Sequence, residues 1–377
     1  MNQVRWKSRL GTLVSCAPAT IRWRALRAGL AALAVAVLAG GASAAASAPH
    51  FMPLDINPLN LIFLPSADVA PATGLMTSRG LQRSLRLASR LATIMVSVGD
   101  IHAIAPTTAT APRADNVYDL SALESVEQLA LEYDAPIDAS APAQCASPCP
   151  SQGLDATDIG NPDGANERLV EGIIATARRT GATGNHVFSL PVALMNNLVG
   201  YINSAEKYHL RIPRLEHNQR NTAYVISIDR ANHATMRLYT FPVAPPPSYP
   251  KLLLRQSGAC PQQRVSISTK VMGLRPPAGI NTSERVYLVR HAEAHPNNQF
   301  ENGNYVCRGQ SRALGAPTIL YRKITASSGG RLPRDFAVYG PDPSFPVGPH
   351  RNSYVRAALT VNPFAIAYGL PMHSPKV

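Results

Sequence analysis

Arg290 and His291 stand side by side where an apolar run, Val286-Tyr287-Leu288-Val289, stops. A neutral imidazole is a nucleophile, and a guanidinium makes planar, bidentate contacts with phosphate oxygens. Together they suit attack on a phosphorus that the arginine holds. A transferring phosphoryl group needs a second cation for its other oxygens. Arg356, at the start of the helical segment YVRAALTV, can supply it from a helix N-terminus that itself favours anions. The plain alternative is a surface turn, with His291 an ordinary turn histidine and Arg290 a solvated charge.

The elements that must position these residues show an internal repeat. LNLIFLPSADVAP (59–71) aligns with ERVYLVRHAEAHP (284–296), and SRGLQRSLRLA (78–88) with CRGQSRALGAP (307–317). DIHAIAP (100–106) then aligns with DFAVYGP (335–341), and SALESVEQLALEYDAP (121–136) with RAALTVNPFAIAYGLP (356–371). Four blocks in one order are hard to obtain by chance. Each copy reads as strand, loop, helix, strand, loop, helix, with helices expected at Leu81–Leu91, Leu120–Tyr133, Ser311–Lys323 and Tyr354–Tyr368. The second strands are expected at Ile101–Ala105 and Phe336–Gly340. Alternating apolar strands and helices predict an α/β protein, a three-layer α/β/α sandwich with a mainly parallel sheet, in two tandem copies. In such sheets ligands sit at the carboxyl ends of the strands, where Arg290 and His291 lie.

The first copy continues with a helix near Asn166–Thr180, a strand at His186–Leu190, a helix at Val192–Ser204 and a hairpin from Tyr224–Asp229 to Thr235–Phe241. The expected organisation is therefore a domain at 50–241, a proline-rich linker and lead-in at 242–283, and the first half of a second domain at 284–377. Carrying the repeat forward puts the counterpart of Pro191 beyond Val377.

VYLVRHAEAHPN resembles the signature of the histidine phosphatase superfamily, the phosphoglycerate-mutase-like proteins. Arg290, His291, Glu293 and Asn297 match its pattern, and Ala292 departs from the usual glycine. RGQSRALG resembles the family's next segment, and VRAALTV its arginine-bearing helix. The resemblance implies His291 as the phospho-accepting nucleophile, Arg290 and Arg356 gripping the phosphoryl group, and Glu293 and Asn297 as substrate contacts, with no metal and no cofactor. It also implies a second histidine and an acid on later strands, which this chain does not reach. At the matching positions the first copy carries Pro65, Ser66 and Ser121, so it keeps the scaffold pattern without the phosphate contacts.

Residues 21–48 bear arginines, then an apolar stretch from Ala28 to Ala39, then Ala42-Ser43-Ala44, the order of a secretory signal peptide at 1–44. An uncleaved anchor is the alternative, though the run is short for a span of about 20 residues. Cleavage would remove Arg5, Lys7, Arg9, Arg22, Arg24 and Arg27 and no acid, so the formal charge falls from +13 by six. That is weak support for nucleic acid and equally fits anionic substrates. In an exported chain, periplasmic or extracellular, Cys145 with Cys149 and Cys260 with Cys307 are candidate disulfides.

Three functions remain in play. One is a phosphomonoesterase working through phospho-His291 on a phosphorylated small molecule or phosphopeptide. The second is an inactive binding or scaffold protein with a residual anion pocket. The third is a truncated product that associates through an exposed sheet edge. No nucleic-acid partner and no membrane contact after signal cleavage are expected.

Overall fold

The computed structural model describes residues 52–55, 57–109, 117–142, 151–158, 160–249, 265–266, 285–295, 302–326, 328–348 and 351–374. The signal peptide, Cys145, Cys149, Cys260, Asn297 and most of the lead-in after Pro250 lie outside the described residues.

The centre of the fold is β1 (Leu59–Pro65), whose seven residues are all buried. A strand covered on both faces needs a continuous apolar run, and LNLIFLP is one. It pairs in parallel with β3 (Gly184–Leu190), which pairs in parallel with the edge strand β2 (Asp100–Ala103). On its other side it pairs antiparallel with β4 (Thr222–Ile228), which forms a hairpin with β5 (Ala234–Thr240). The order is β2-β3-β1-β4-β5. The sheet is mixed rather than mainly parallel, because the hairpin adds two antiparallel strands beside a three-stranded parallel unit.

Helices cover both faces. On one side Ile62 and Leu64 pack with residues of α1 (Ser78–Leu91) and α2 (Ser121–Glu132), among them Leu87, Leu91, Leu123 and Val126. On the other, Leu61 and Phe63 pack with α3 (Ala165–Thr180) and α4 (Val192–Ala205) through Val170, Ile174, Leu194 and Leu198. The alternation of β1 side chains between the two cores is the period of two of an extended chain. α1 starts where the Thr77 hydroxyl accepts from Gly80 N at 3.0 Å, an N-cap. α3 ends at Gly181, in the left-handed region at φ 68°.

The later chain forms α5 (Cys307–Gly315), α6 (Pro317–Thr325) and α7 (Arg356–Tyr368), with the two-residue strands β6 (Val338–Tyr339), β7 (Pro346–Val347), β8 (Asn352–Ser353) and β9 (Met372–His373). The helix expected at Ser311–Lys323 is two helices. Pro317 lacks the N–H to continue the first and opens the second at its first turn. The expected strand at Val286–Val289 is not formed, and Val286 and Leu288 are 78% and 93% exposed. β1 is held by β3 and β4, and residues 285–290 have no such neighbours among the described residues. A second copy of the five-stranded sheet is therefore not evident among the described residues: the later helices are accompanied only by the two-stranded pairs β6–β9 and β7–β8.

Residues His50–Val377 make one compact unit. Leu81, Leu85, Tyr118 and Leu120 share a core with Leu314, Ile324, Phe364 and Met372, so α5 to α7 lie against α1 and α2. Among the described residues no helix is long and apolar enough to cross a membrane.

Candidate functional site

The turn that leaves β1 and the turn at His291 are made by the same hydrogen bonds. Ala67 N donates to the Ser125 hydroxyl (2.8 Å), which donates to Ser121 C=O one turn back along α2 (2.7 Å). Ala292 N donates to the Thr360 hydroxyl (2.9 Å), which donates to Arg356 C=O one turn back along α7 (2.7 Å). Thr77 N donates to Asp68 C=O (2.8 Å), as Val306 N does to Glu293 C=O (2.9 Å). Single antiparallel bridges join Val69 to Met76 and Ala294 to Tyr305.

Side chains repeat the pattern. Arg83 on α1 grips Asp68 through Nε and Nη2 at 3.2 and 3.1 Å. Arg312 on α5 grips Glu293, with Nε 2.8 and 3.0 Å from its two oxygens. A Cβ on Gly80 would sit 2.6 Å from Asp68 O, and one on Gly309 3.0 Å from Glu293 O. Both helices thus approach the turn so closely that only glycine fits comfortably.

His291 is half-buried, and its Nδ1 lies 2.7 Å from Ala292 C=O. A carbonyl only accepts, so Nδ1 carries the proton and a neutral ring presents its lone pair at Nε2. The ring meets Tyr354 edge-on at 6.2 Å between centroids, and the Arg356 guanidinium lies over the same Tyr354 ring at 5.0 Å. That contact has cation–π geometry, and Arg356 is 4% exposed. Arg356 N donates to Gly303 C=O at 2.9 Å. Gly303 has φ 75°, and a Cβ there would fall 1.9 Å from Ser353 O, so the loop needs glycine at this point.

The structure therefore brings His291 and Arg356 to one aromatic ring. Arg290 is exposed. Glu293 is engaged by Arg312, whose guanidinium holds its carboxyl below the usual range. Nearby, His295 Nε2 lies 3.3 Å from Asp134 Oδ1 and ties this turn to the end of α2.

At the carboxyl end of β1, Ser66 takes the position matching His291 and is buried. Here the structure adds a residue that the sequence analysis did not single out. Arg220 donates to Ser66 C=O and Ala67 C=O at 3.1 and 2.6 Å and lies 3.4 Å from Asp68 Oδ1. Asp68 is thereby held between Arg83 and Arg220. No local motif marks Arg220. It arrives because β4 runs antiparallel to β1, with Phe63 opposite Tyr224, which sets the start of β4 beside the end of β1.

Between the earlier and later helices lie two buried acids of α2. Asn362 Nδ2 donates to Glu124 Oε1, and Asn304 Nδ2 donates to Glu127 Oε2 at 3.1 Å. Burial pushes Glu124 well up and Glu127 up to about 8. Gln310, Tyr305, Leu359 and Pro363 line the same small cavity beside them.

A second cluster sits on β2 and β3, at the start of β2. Asp100 and His102 are on one face of β2, and His186 lies opposite Asp100 on β3. One donor atom from each falls within 4.8 Å of the others, and these residues could hold a metal ion.

No protein-family model matches the chain, and no curated protein matches it. Among solved structures, that of the protein histidine phosphatase SixA complexed with tungstate overlays 48% of this chain and 97% of its own length, at 13% identity and a TM-score of 0.29. No assignment is drawn from an overlay that loose.

Proposed function

We propose that the chain is a histidine-phosphatase-like protein carrying two copies of one scaffold, with phosphomonoester hydrolysis through His291 as its reaction. The observation that supports it best is the state of His291. Its Nδ1–H is held by Ala292 C=O, its Nε2 is left as nucleophile, and Arg356 shares its Tyr354 contact. The recurring hydrogen bonds at Ala67 and Ala292, and the Arg83–Asp68 and Arg312–Glu293 pairs, support the two copies. Nε2 would attack phosphorus as the ester P–O bond breaks, the alcohol leaving with a proton. Water would then cleave the P–N bond, releasing phosphate and restoring the imidazole.

A phosphorylated small molecule or phosphopeptide is the substrate class, and export is proposed from the signal-like order of residues 21–48 alone. A second reading is anion binding without turnover, in which the exposed Arg290 beside His291 takes the anion while Arg356 stays buried.

Incubation with an aryl phosphate distinguishes them. Turnover, a phosphate on His291 by mass spectrometry, and loss of both in His291→Ala are expected for the enzyme. Phosphate binding without turnover selects the second reading, and hydrolysis that survives His291→Ala overturns the mechanism.

A further inference from the structure

We propose that Asp100, His102 and His186 form a binding site for a zinc-class divalent transition-metal ion, separate from His291. The inference begins with His102, which is 5% exposed. Its Nδ1 lies 2.9 Å from Gln152 C=O, so Nδ1 carries the proton and Nε2 the lone pair. Nε2 is buried with no hydrogen-bond partner among the described residues. A buried nitrogen with an unused lone pair is costly, and metal-binding histidines characteristically donate their other N–H to a backbone carbonyl or carboxylate. The Asp138 carboxylate, 3.7 Å from the same Nδ1, reinforces that orientation. The ring is fixed by stacking on Phe188 at 5.2 Å between centroids, and burial lowers the pKa of His102, favouring the neutral, ligating form.

The other two donors face it. His186 Nδ1 lies 3.0 Å from Asp100 Oδ2, and the contact with His186 holds the Asp100 carboxyl below its usual range. The register explains the grouping. Asp100 pairs across to His186, and two residues on, His102 returns to the same face. Ligands on a zinc ion at bonds of about 2.0–2.1 Å stand roughly 3.4 Å apart in a tetrahedron. The three donor atoms lie within 4.8 Å of one another, so reaching that spacing needs side-chain shifts of at most about 1.4 Å. Two imidazoles and one carboxylate suit zinc, cobalt or nickel better than calcium or magnesium, which prefer oxygen. Three protein donors leave the fourth position to water. Bound metal would also tie the edge strand β2 to β3 through side chains.

The test uses the full chain, stripped with chelator and titrated with Zn²⁺ against a chromophoric competitor, with Co²⁺ absorption as a second readout. One equivalent bound at micromolar affinity or tighter is expected at pH 7.5. His186→Gln and Asp100→Asn should each weaken it at least tenfold, while His209→Gln on a separate loop should not. Affinity should fall as pH is lowered, because protons compete with the metal for the imidazole nitrogens. Absence of a stoichiometric site in the wild type, or equal affinity in folded His186→Gln and Asp100→Asn, overturns the proposal. Circular dichroism checks folding of each variant. If either is unfolded, the Co²⁺ spectrum of the wild type decides, since tetrahedral ligation with nitrogen donors gives d–d bands far more intense, and at longer wavelength, than the weak ones of octahedral aqueous cobalt.

Discussion

Glutamine in place of Glu127 changes one atom and should change how stability depends on pH. The Glu127 carboxyl is enclosed between α2 and the loop before α5, with one oxygen accepting from Asn304 and the other, Oε1, without a partner. Burial raises its pKa from 4.5 to about 8. Above pH 4.5 the unfolded chain releases this proton and the native chain keeps it, so the native state binds more protons and stability falls as pH rises. The fall starts at the unfolded value and levels off once pH passes about 8. At 1.36 kcal/mol per unit, the interval from pH 5 to pH 7 carries about 2–3 kcal/mol. Glu127→Gln remains neutral throughout, so this fall should be missing. Asp138, also raised by burial, acts in both proteins and cancels in the difference; Glu124 is raised first by its own burial and only to a lesser degree by the Glu127 charge, so it nearly cancels. Urea unfolding followed by circular dichroism at pH 5 and 7 measures it. The variant should gain about 2–3 kcal/mol on the wild type over that interval. Parallel profiles, agreeing within about 0.5 kcal/mol, would refute a buried neutral carboxyl at this position.

Leu288→Ser should leave the unfolding midpoint almost unchanged, within about 0.5 kcal/mol, because Leu288 is 93% exposed; a loss of about 2 kcal/mol or more would mean that the Val286–Val289 run is buried after all. Thr360→Val should cost about 1–3 kcal/mol by leaving Ala292 N without its acceptor. Ser125→Ala should cost a similar amount through Ala67 N, and a null effect in both would show that these recurring bonds are not what holds the two turns. The turnover test on His291→Ala and the zinc titration complete the set.

The apolar run of β1, the helices α1 to α4 and the β4–β5 hairpin were legible because each carries its own periodicity, cap or breaker within a few residues. The turns at Ser66 and His291 make matching hydrogen bonds, and the helix expected from Tyr354 begins at Arg356. Val286–Val289 was misread because a strand is completed by its neighbours: one apolar run is buried in β1 and another is exposed within 285–290. Likewise, Glu293 answered a motif, and its partner Arg312 came from the helix that packs on it.

Local order along the chain thus determined the α/β class, most element boundaries and the pairing of His291 with Arg356 as candidates. Tertiary structure alone decided the mixed sheet, the Tyr354 ring between His291 and Arg356, the two acids sealed between early and late helices, and Arg220 at the end of β1. It also made a cluster of Asp100, His102 and His186, which are separated in sequence by the whole of α2 and α3. The physical reason is range. Periodicity and capping act over one or two turns of chain, whereas strand pairing, desolvation and ligand geometry depend on residues that only folding brings together.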